Sequence, residues 1–217
     1  MTAQLKANGY KVNRKRVYRL MQERQLLCKI RKRFVVTTDS DHAYERYPNL
    51  YENHISDQLN RVWVADIAYV RLRKGHAFLA VILDAFSRRV IGWELSRALE
   101  RALVLQQPAP GCTHHSDQGV QYACHAYTDL LKQHGFQISM SRRANPYDNA
   151  QAESFMATLK KEETYLSDYQ TFAEARARLP HFIEDVYNRK RLHSALGYQA
   201  PVAFEHQQNQ PRPYVLT

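Results

Sequence analysis

Three acids, Asp66, Asp117 and Glu153, occupy positions where a carboxylate needs a reason. Asp66 interrupts Val62-Trp63-Val64-Ala65-Asp66-Ile67-Ala68-Tyr69-Val70, an apolar, β-favouring run without polar alternation, so a strand covered on both faces is expected. An ionised carboxylate there costs roughly several kcal/mol unless a cation, a metal or hydrogen bonds compensate it. Asp117 closes a short strand expected from Cys112 through Ser116, with Gly119 behind it. Glu153 falls at the margin of the stripe Ala152, Phe155, Met156 and Leu159 on a helix expected from Ala150 to about Tyr165. Asn149 lies on the Glu153 side one turn earlier and Lys160 two turns later. Carboxylate oxygens suit Mg²⁺, and a lysine above them suits a phosphate. Taken singly, each acid has a plainer role: Asp66 could pair with an arginine, Asp117 could form a turn, and Glu153 could sit on the surface. Asp84 and Asp148 are rival ligands. They rank lower because Asp84 closes a hairpin, while Asp148 or Asn149 suits a helix cap.

The elements that must position these acids follow from the pattern around them. After the Asp66 strand, Lys74-Gly75 makes a turn and Ala77 to Leu83 a second buried strand, an expected antiparallel hairpin. Val90 to Leu95 continues the meander as a third strand. A helix over Ser96 to Gln107 is ended by Pro108 and Pro110. The Asp117 strand comes next, followed by a helix from Tyr122 to His134 and a last strand from Phe136 to Met140. A final amphipathic helix spans Phe172 to Asn188, a basic turn runs from Arg189 to Tyr198, and residues from His206 onward are expected to be loosely ordered. Strands first and helices with short strands afterwards indicate an α/β, mixed α+β domain.

Charge is distributed as unevenly as function would require. Residues 1 to 34 hold eleven Lys and Arg against Glu23 alone, which accounts for the whole net charge of +10; the remainder is balanced. Such an arm is expected to bind phosphate. Within it, Thr2 to Asn8 reads as a short helix and Asn13 as the cap of a second helix running to about Arg24. Val17, Leu20 and Met21 form one stripe, and Arg14, Lys15, Arg16 and Arg19 fall mostly elsewhere. This is the pattern of a helix-turn-helix recognition helix, although a basic surface helix would look the same. Phe34 to about Gln58 reads as a linker in which His42 and His54 are surface residues. No apolar run reaches the roughly 20 residues of a membrane span, and no signal peptide is evident, so a soluble cytoplasmic protein is expected. Cys28, Cys112 and Cys124 form no CxxC pair, which argues against a structural zinc site.

Taken in order, Trp63-Val-Ala-Asp66-Ile, Val90-Ile-Gly-Trp93, His114-His-Ser-Asp117-Gln-Gly, Ser139 to Arg143, Asp148-Asn-Ala-Gln-Ala-Glu153-Ser, Leu159 to Glu162, Asn188 to Tyr198 and Pro201 to Glu205 resemble the second-reading-frame product of bacterial insertion-sequence-three transposases. The resemblance covers roughly residues 8 to 206. It implies a retroviral-integrase type of catalytic core, an RNase H-like fold with a mixed five-stranded sheet flanked by helices, here over residues 59–206. Residues 1–34 would then be a partial helix-turn-helix segment, 35–58 a linker and 207–217 a tail. It further implies a DDE polynucleotidyl transferase that binds two Mg²⁺ ions, or Mn²⁺ in their place, through Asp66, Asp117 and Glu153, with Lys160 near the reacting phosphate. Asn149 and Ser116 would steady the carboxylates, whereas His114 and His115 read better as structural histidines. The implied partners are the element's terminal repeats, target DNA, further copies of the chain and the first-reading-frame product, all at the bacterial nucleoid. Against the family pattern, the chain begins inside a longer N-terminal region, and the segment between Trp93 and Asp117 is shorter. A catalytically inactive DNA-binding regulator and a plain RNase H are the alternative readings.

Overall fold

The computed structural model describes residues 1–27, 43–52, 56–97, 111–142, 145 and 147–210. The chain divides into two compact units, Met1–Arg33 and Phe34–Thr217. In the first, α1 spans Thr2–Ala7 and α2 spans Arg14–Glu23. Asn13 caps α2 through its side chain, which accepts from the Arg16 N–H at 2.8 Å. Of the expected apolar stripe, Val17 is buried, but Leu20 is 42% exposed. Arg14, Lys15, Arg16 and Arg19 are all exposed.

The second unit is built on a five-stranded sheet in the order β3-β2-β1-β4-β5. Strands β1 (Val62–Arg71), β2 (His76–Asp84) and β3 (Val90–Ser96) form the antiparallel meander. Strands β4 (Thr113–Ser116) and β5 (Gln137–Met140) run parallel to β1. The apolar character of β1 around Asp66 is explained by two cores, one on each face, although Tyr69 towards the strand's end is 38% exposed. Val62, Val64, Ala68, Val70 and Leu72 pack on one side; Trp63 and Ala65 pack on the other. Asp66 belongs by its pleat to the first face. That face is covered by α5 (Ala150–Leu159) and, further along the chain, by Leu179, Phe182 and Ile183. The opposite face is covered by α3 (Val120–Ala123) and α4 (His125–Gln133).

Several expected elements take a different form. The helix foreseen from Tyr122 to His134 is two helices, because Cys124 adopts an extended backbone between them and its thiol turns to the Gln121 carbonyl. The helix from Ala150 winds at Lys160 into a wider π-helical turn, Lys160–Thr164, before the short α6 (Tyr165–Ser167). The Phe172 helix likewise becomes α7 (Phe172–Pro180) followed by a π-helical stretch, His181–Asn188. Pro180 contributes no N–H and crowds the preceding turn, a physical reason for widening there. Ser96 completes β3 rather than starting a helix; residues 98–107 of that expected helix lie outside the described residues. His206 is not in a loose tail, since α8 (Pro201–Gln208) carries it.

The segment read as a linker is docked where it is described. Pro48 accepts from the Met140 N–H, Leu50 N–H donates to Ser139 Oγ at 2.9 Å, and Tyr51 stacks against His115. His42 and His54 lie outside the described residues. Two polar side chains pin the meander. Asp84 accepts the backbone N–H groups of Asn60, Phe86 and Ser87. Asn188, fully buried, bonds both polar backbone groups of Val90.

Candidate active site

The sheet brings Asp66 and Asp117 together because β1 and β4 are adjacent and parallel. Asp66 lies midway along β1, and Asp117 follows the last residue of β4. Each carboxylate is oriented by a nearby backbone N–H: Asp66 Oδ1 accepts from Ile67 at 2.8 Å and Asp117 Oδ1 from Gly119 at 2.9 Å. Glu153 arrives on the first turn of α5, and that helix is fastened to β1 by Asn149. The Asn149 side chain is 5% exposed and donates to the Ala65 carbonyl at 3.0 Å, one residue before Asp66. Its backbone carbonyl accepts the Glu153 N–H at 3.1 Å. A single asparagine thus ties the strand of one acid to the helix turn of another.

Electrostatics report the convergence. Asp66 is pushed up to about 7, chiefly because burial disfavours its charge and next because Asp117 repels it; Glu153 adds to the repulsion, while the Ile67 N–H and Lys160 oppose it. Glu153 is raised as well, by desolvation and then by Asp117. These are like charges crowded into one place with a lysine facing them. Among the described residues no group of three His, Cys, Asp or Glu forms a ready-made cage for a metal ion. The donor set nonetheless fits a hard divalent cation, since Mg²⁺ keeps several waters and takes one or two carboxylates together with substrate oxygens.

The rival acids are committed elsewhere. Asp84 spends its oxygens on the three backbone donors named above. Asp148 accepts from the Arg142 backbone, the Arg142 guanidinium and the Asn145 amide, so Arg142 holds it below the usual carboxylate range. Ser116 is buried, and its hydroxyl donates to the Asp117 carbonyl rather than to a carboxylate; its own carbonyl takes the N–H and hydroxyl of Ser141. His114 and His115 are fully buried pillars of β4. Burial lowers them to about 3 and about 4, so both are neutral, with His114 bonded to the Tyr127 hydroxyl and His115 to Ser139. Arg14, Lys15, Arg16 and Arg19 belong to the other unit.

One residue at the site was not singled out from the sequence. Tyr122, on α3, is 2% exposed and its hydroxyl has no hydrogen-bond partner among the described residues. Burial raises that hydroxyl well above its usual value, and the charges of Asp66 and Asp117 raise it further. A donor without an acceptor thus lies within reach of the charge of both acids, on the helix that covers the sheet face opposite Asp66. In the sequence it looks like an ordinary aromatic on a helix face, and only its position five residues after Asp117 could have marked it.

Similarity to known proteins agrees with this fold. Two models described as integrase core domain match residues 56–146 and 134–201, and one described as an HTH-like domain matches residues 1–34. The chain is 38% identical over 224 residues to a transposase for insertion sequence element IS904 of Lactococcus lactis, covering 94% of this chain and 85% of that protein. It is 37% identical over 220 residues to an uncharacterized 31 kDa protein of insertion element IS600 of Shigella sonnei, covering 97% of this chain and 81% of that protein. Among solved structures, a chain of the simian T-cell lymphotropic virus intasome in complex with the PP2A regulatory subunit B56 gamma superposes with a TM-score of 0.57 at 18% identity. That match covers 81% of this chain and 62% of the other, less than two thirds of its length, and it shows a shared RNase H-like integrase fold.

Proposed function

Because the chain belongs to the insertion-sequence-three type of transposases, built on an integrase core, we propose that Asp66, Asp117 and Glu153 are the metal ligands at which it cuts and joins DNA. What supports the assignment is the convergence of the acids, with Asp66 and Asp117 on adjacent parallel strands and Glu153 on the helix turn that Asn149 fastens to β1. Burial and the charge of Asp117 hold Asp66 near 7, a state that a bound cation would relieve. Divalent ions of the Mg²⁺ type would supply Lewis acidity to the attacking and leaving oxygens of an in-line displacement.

The chain's own residues do the rest. The carboxylates of Asp66 and Asp117 are each oriented by a backbone N–H. Asn149 keeps Glu153 in register with β1. Lys160, whose charge already reaches Asp66, would neutralise a scissile or neighbouring phosphate. Tyr122 would donate to an acid or to a phosphate oxygen. In the first step water bonds to phosphorus at the element's end, and the 3′ oxygen leaves with a proton as a 3′-OH, opposite a 5′ phosphate. In the second step that 3′-OH attacks a target phosphodiester, releasing the target's own 3′-OH. No covalent link to the protein forms. We further assign Arg14, Lys15, Arg16 and Arg19 to DNA binding, with copies of this chain and a first-reading-frame product as assembly partners.

A branched DNA mimicking a strand-transfer product, incubated with Mg²⁺ or Mn²⁺, tests the reading. Cutting and joining should fall by about 10³ or more in Asp66→Asn and in Glu153→Gln, the equivalent of a few kcal/mol of lost charge stabilisation. Unchanged activity in either variant would remove that acid from the site.

A further inference from the structure

At the C-terminal end of β1 a concavity of about 890 Å³ opens between the β1–β2 turn and the start of α7. Arg73, Lys74, His76, Arg97, Gln170 and Phe172 line it, and among the described residues no Asp or Glu does, the nearby Glu174 carboxylate being engaged by the Gln170 N–H at 2.9 Å. Outside the basic N-terminal arm the chain is balanced in charge, so three permanent cations around one acid-free hollow are a local departure. Two of them are held in place. Arg73 donates to the Gln170 side chain at 3.2 Å, and its backbone N–H donates to the Tyr169 carbonyl at 2.9 Å. The Arg97 guanidinium lies over the Phe172 ring at 5.2 Å, an arrangement that leaves its N–H edge for a ligand. Among the described residues none of the three reaches a carboxylate within ion-pair distance. Preordered, unopposed cations around a hollow are suited to backbone phosphates.

The position relative to the acids gives the hollow its meaning. Leu72 shares the face of β1 that carries Asp66 and lies six residues further on, about 20 Å at the rise of an extended strand. Tyr169, which accepts from Arg73, donates its hydroxyl to Glu163, one turn along the helical stretch that begins at Lys160. Tyr169 and Glu163 thus tie the hollow to the same helical stretch that carries Lys160. About 20 Å along a DNA strand is about six nucleotide steps. We propose that this hollow is a phosphate subsite that grips the DNA backbone about six steps from the reacting phosphodiester, a proposal that rests on reading Asp66, Asp117 and Glu153 as the cutting centre.

The test uses the 217-residue chain and two hairpin-capped branched DNAs, one with an arm of about 4 base pairs and one of about 14, either side of the six-step distance. The variant is Arg73→Gln/Lys74→Gln/Arg97→Gln. On the long arm its slope of log Kobs against log salt should be shallower than that of the unaltered chain by about 2 to 3, roughly one per lost contact, and on the short arm the slopes should coincide. Arg73→Lys/Arg97→Lys should restore the steeper slope. Identical slopes on the long arm overturn the subsite and leave an acidic protein segment or a free anion as the occupant, and an equal loss on both arms overturns it too, because the cations would then meet DNA close to the branch. If the triple variant melts early, Lys74→Gln alone makes the same comparison with an expected change of about 1. Asp66→Asn run beside them separates the two ideas. Arm-dependent slopes without cutting by any chain would sink the catalytic reading and keep the subsite; cutting without arm dependence would do the reverse.

Discussion

Replacing Asp66 by Asn should make the metal-free protein more stable above neutral pH and no more stable in acid. The folded state holds Asp66 at about 7, against an unfolded carboxylate near 3.9. A raised acid contributes relative stability that is fully present below the unfolded value, about pH 4, and lost as pH rises through about 7. About three units at about 1.36 kcal/mol each would give an upper bound of ~4 kcal/mol. Asp66 keeps some contact with solvent, and Asp117, Glu153, Lys160 and Tyr122 can all readjust around it, so ~2 kcal/mol is a fairer figure. For a chain of this length that corresponds to about 4–8 °C in Tm. The assay is thermal unfolding of both chains in chelator from pH 4.5 to 8.5. The difference between them should open from near zero to that size as pH rises. Saturating Mg²⁺ should then raise the Tm of the unaltered chain and leave Asp66→Asn behind, because a ligand stabilises only the state that binds it. A Tm difference that stays flat with pH, or that favours the unaltered chain at pH 8, would refute the crowding of charge inferred for this site.

Four further outcomes are expected. Tyr122→Phe removes a buried hydroxyl without a partner, so metal-free stability should hold or rise by up to about 1 kcal/mol while strand transfer slows; an unaltered rate would take Tyr122 out of the reaction. Asn149→Ala cuts the tie between α5 and β1, and activity on the branched DNA should drop about tenfold or more with a destabilisation of only about 1–3 kcal/mol. Asn188→Ala strands the polar backbone groups of Val90 and should cost about 2–4 kcal/mol, read as a lower urea midpoint. Changing Arg14, Lys15, Arg16 and Arg19 to Gln should flatten the salt dependence of DNA binding by several units of slope, and binding that keeps its slope would free α2 of that role.

The meander and the site strand were legible because their signals are local. Val62 to Val70 is apolar on both pleat faces, and only a strand between two covered faces accommodates that. The acids themselves were legible as anomalies: Asp66 in an apolar run, Asp117 at a strand end, Glu153 at the edge of a stripe. What joins them was not. The bond from Asn149 to Ala65 spans 84 positions, and nothing in either neighbourhood announces it. Tyr122 was hidden because a buried hydroxyl and a buried ring look alike in sequence. The break at Cys124 carries neither Gly nor Pro, so periodicity ran straight through it. Pro180 was a visible signal for the change in winding after α7, but the amphipathic stripe on either side of it outweighed it.

The docking of residues 48–50 against β5 also bears on how the fold avoids self-association. Strand β5 ends one side of the sheet, and a bare strand edge is a template on which another chain can extend the ladder. Here the Pro48 carbonyl satisfies the Met140 N–H, and Leu50 N–H engages the Ser139 hydroxyl instead of a ladder partner. Proline has no N–H to pass outward, so the covering segment ends the sheet there instead of offering a new edge. The covering segment thereby closes one route by which copies of this chain could join strand to strand.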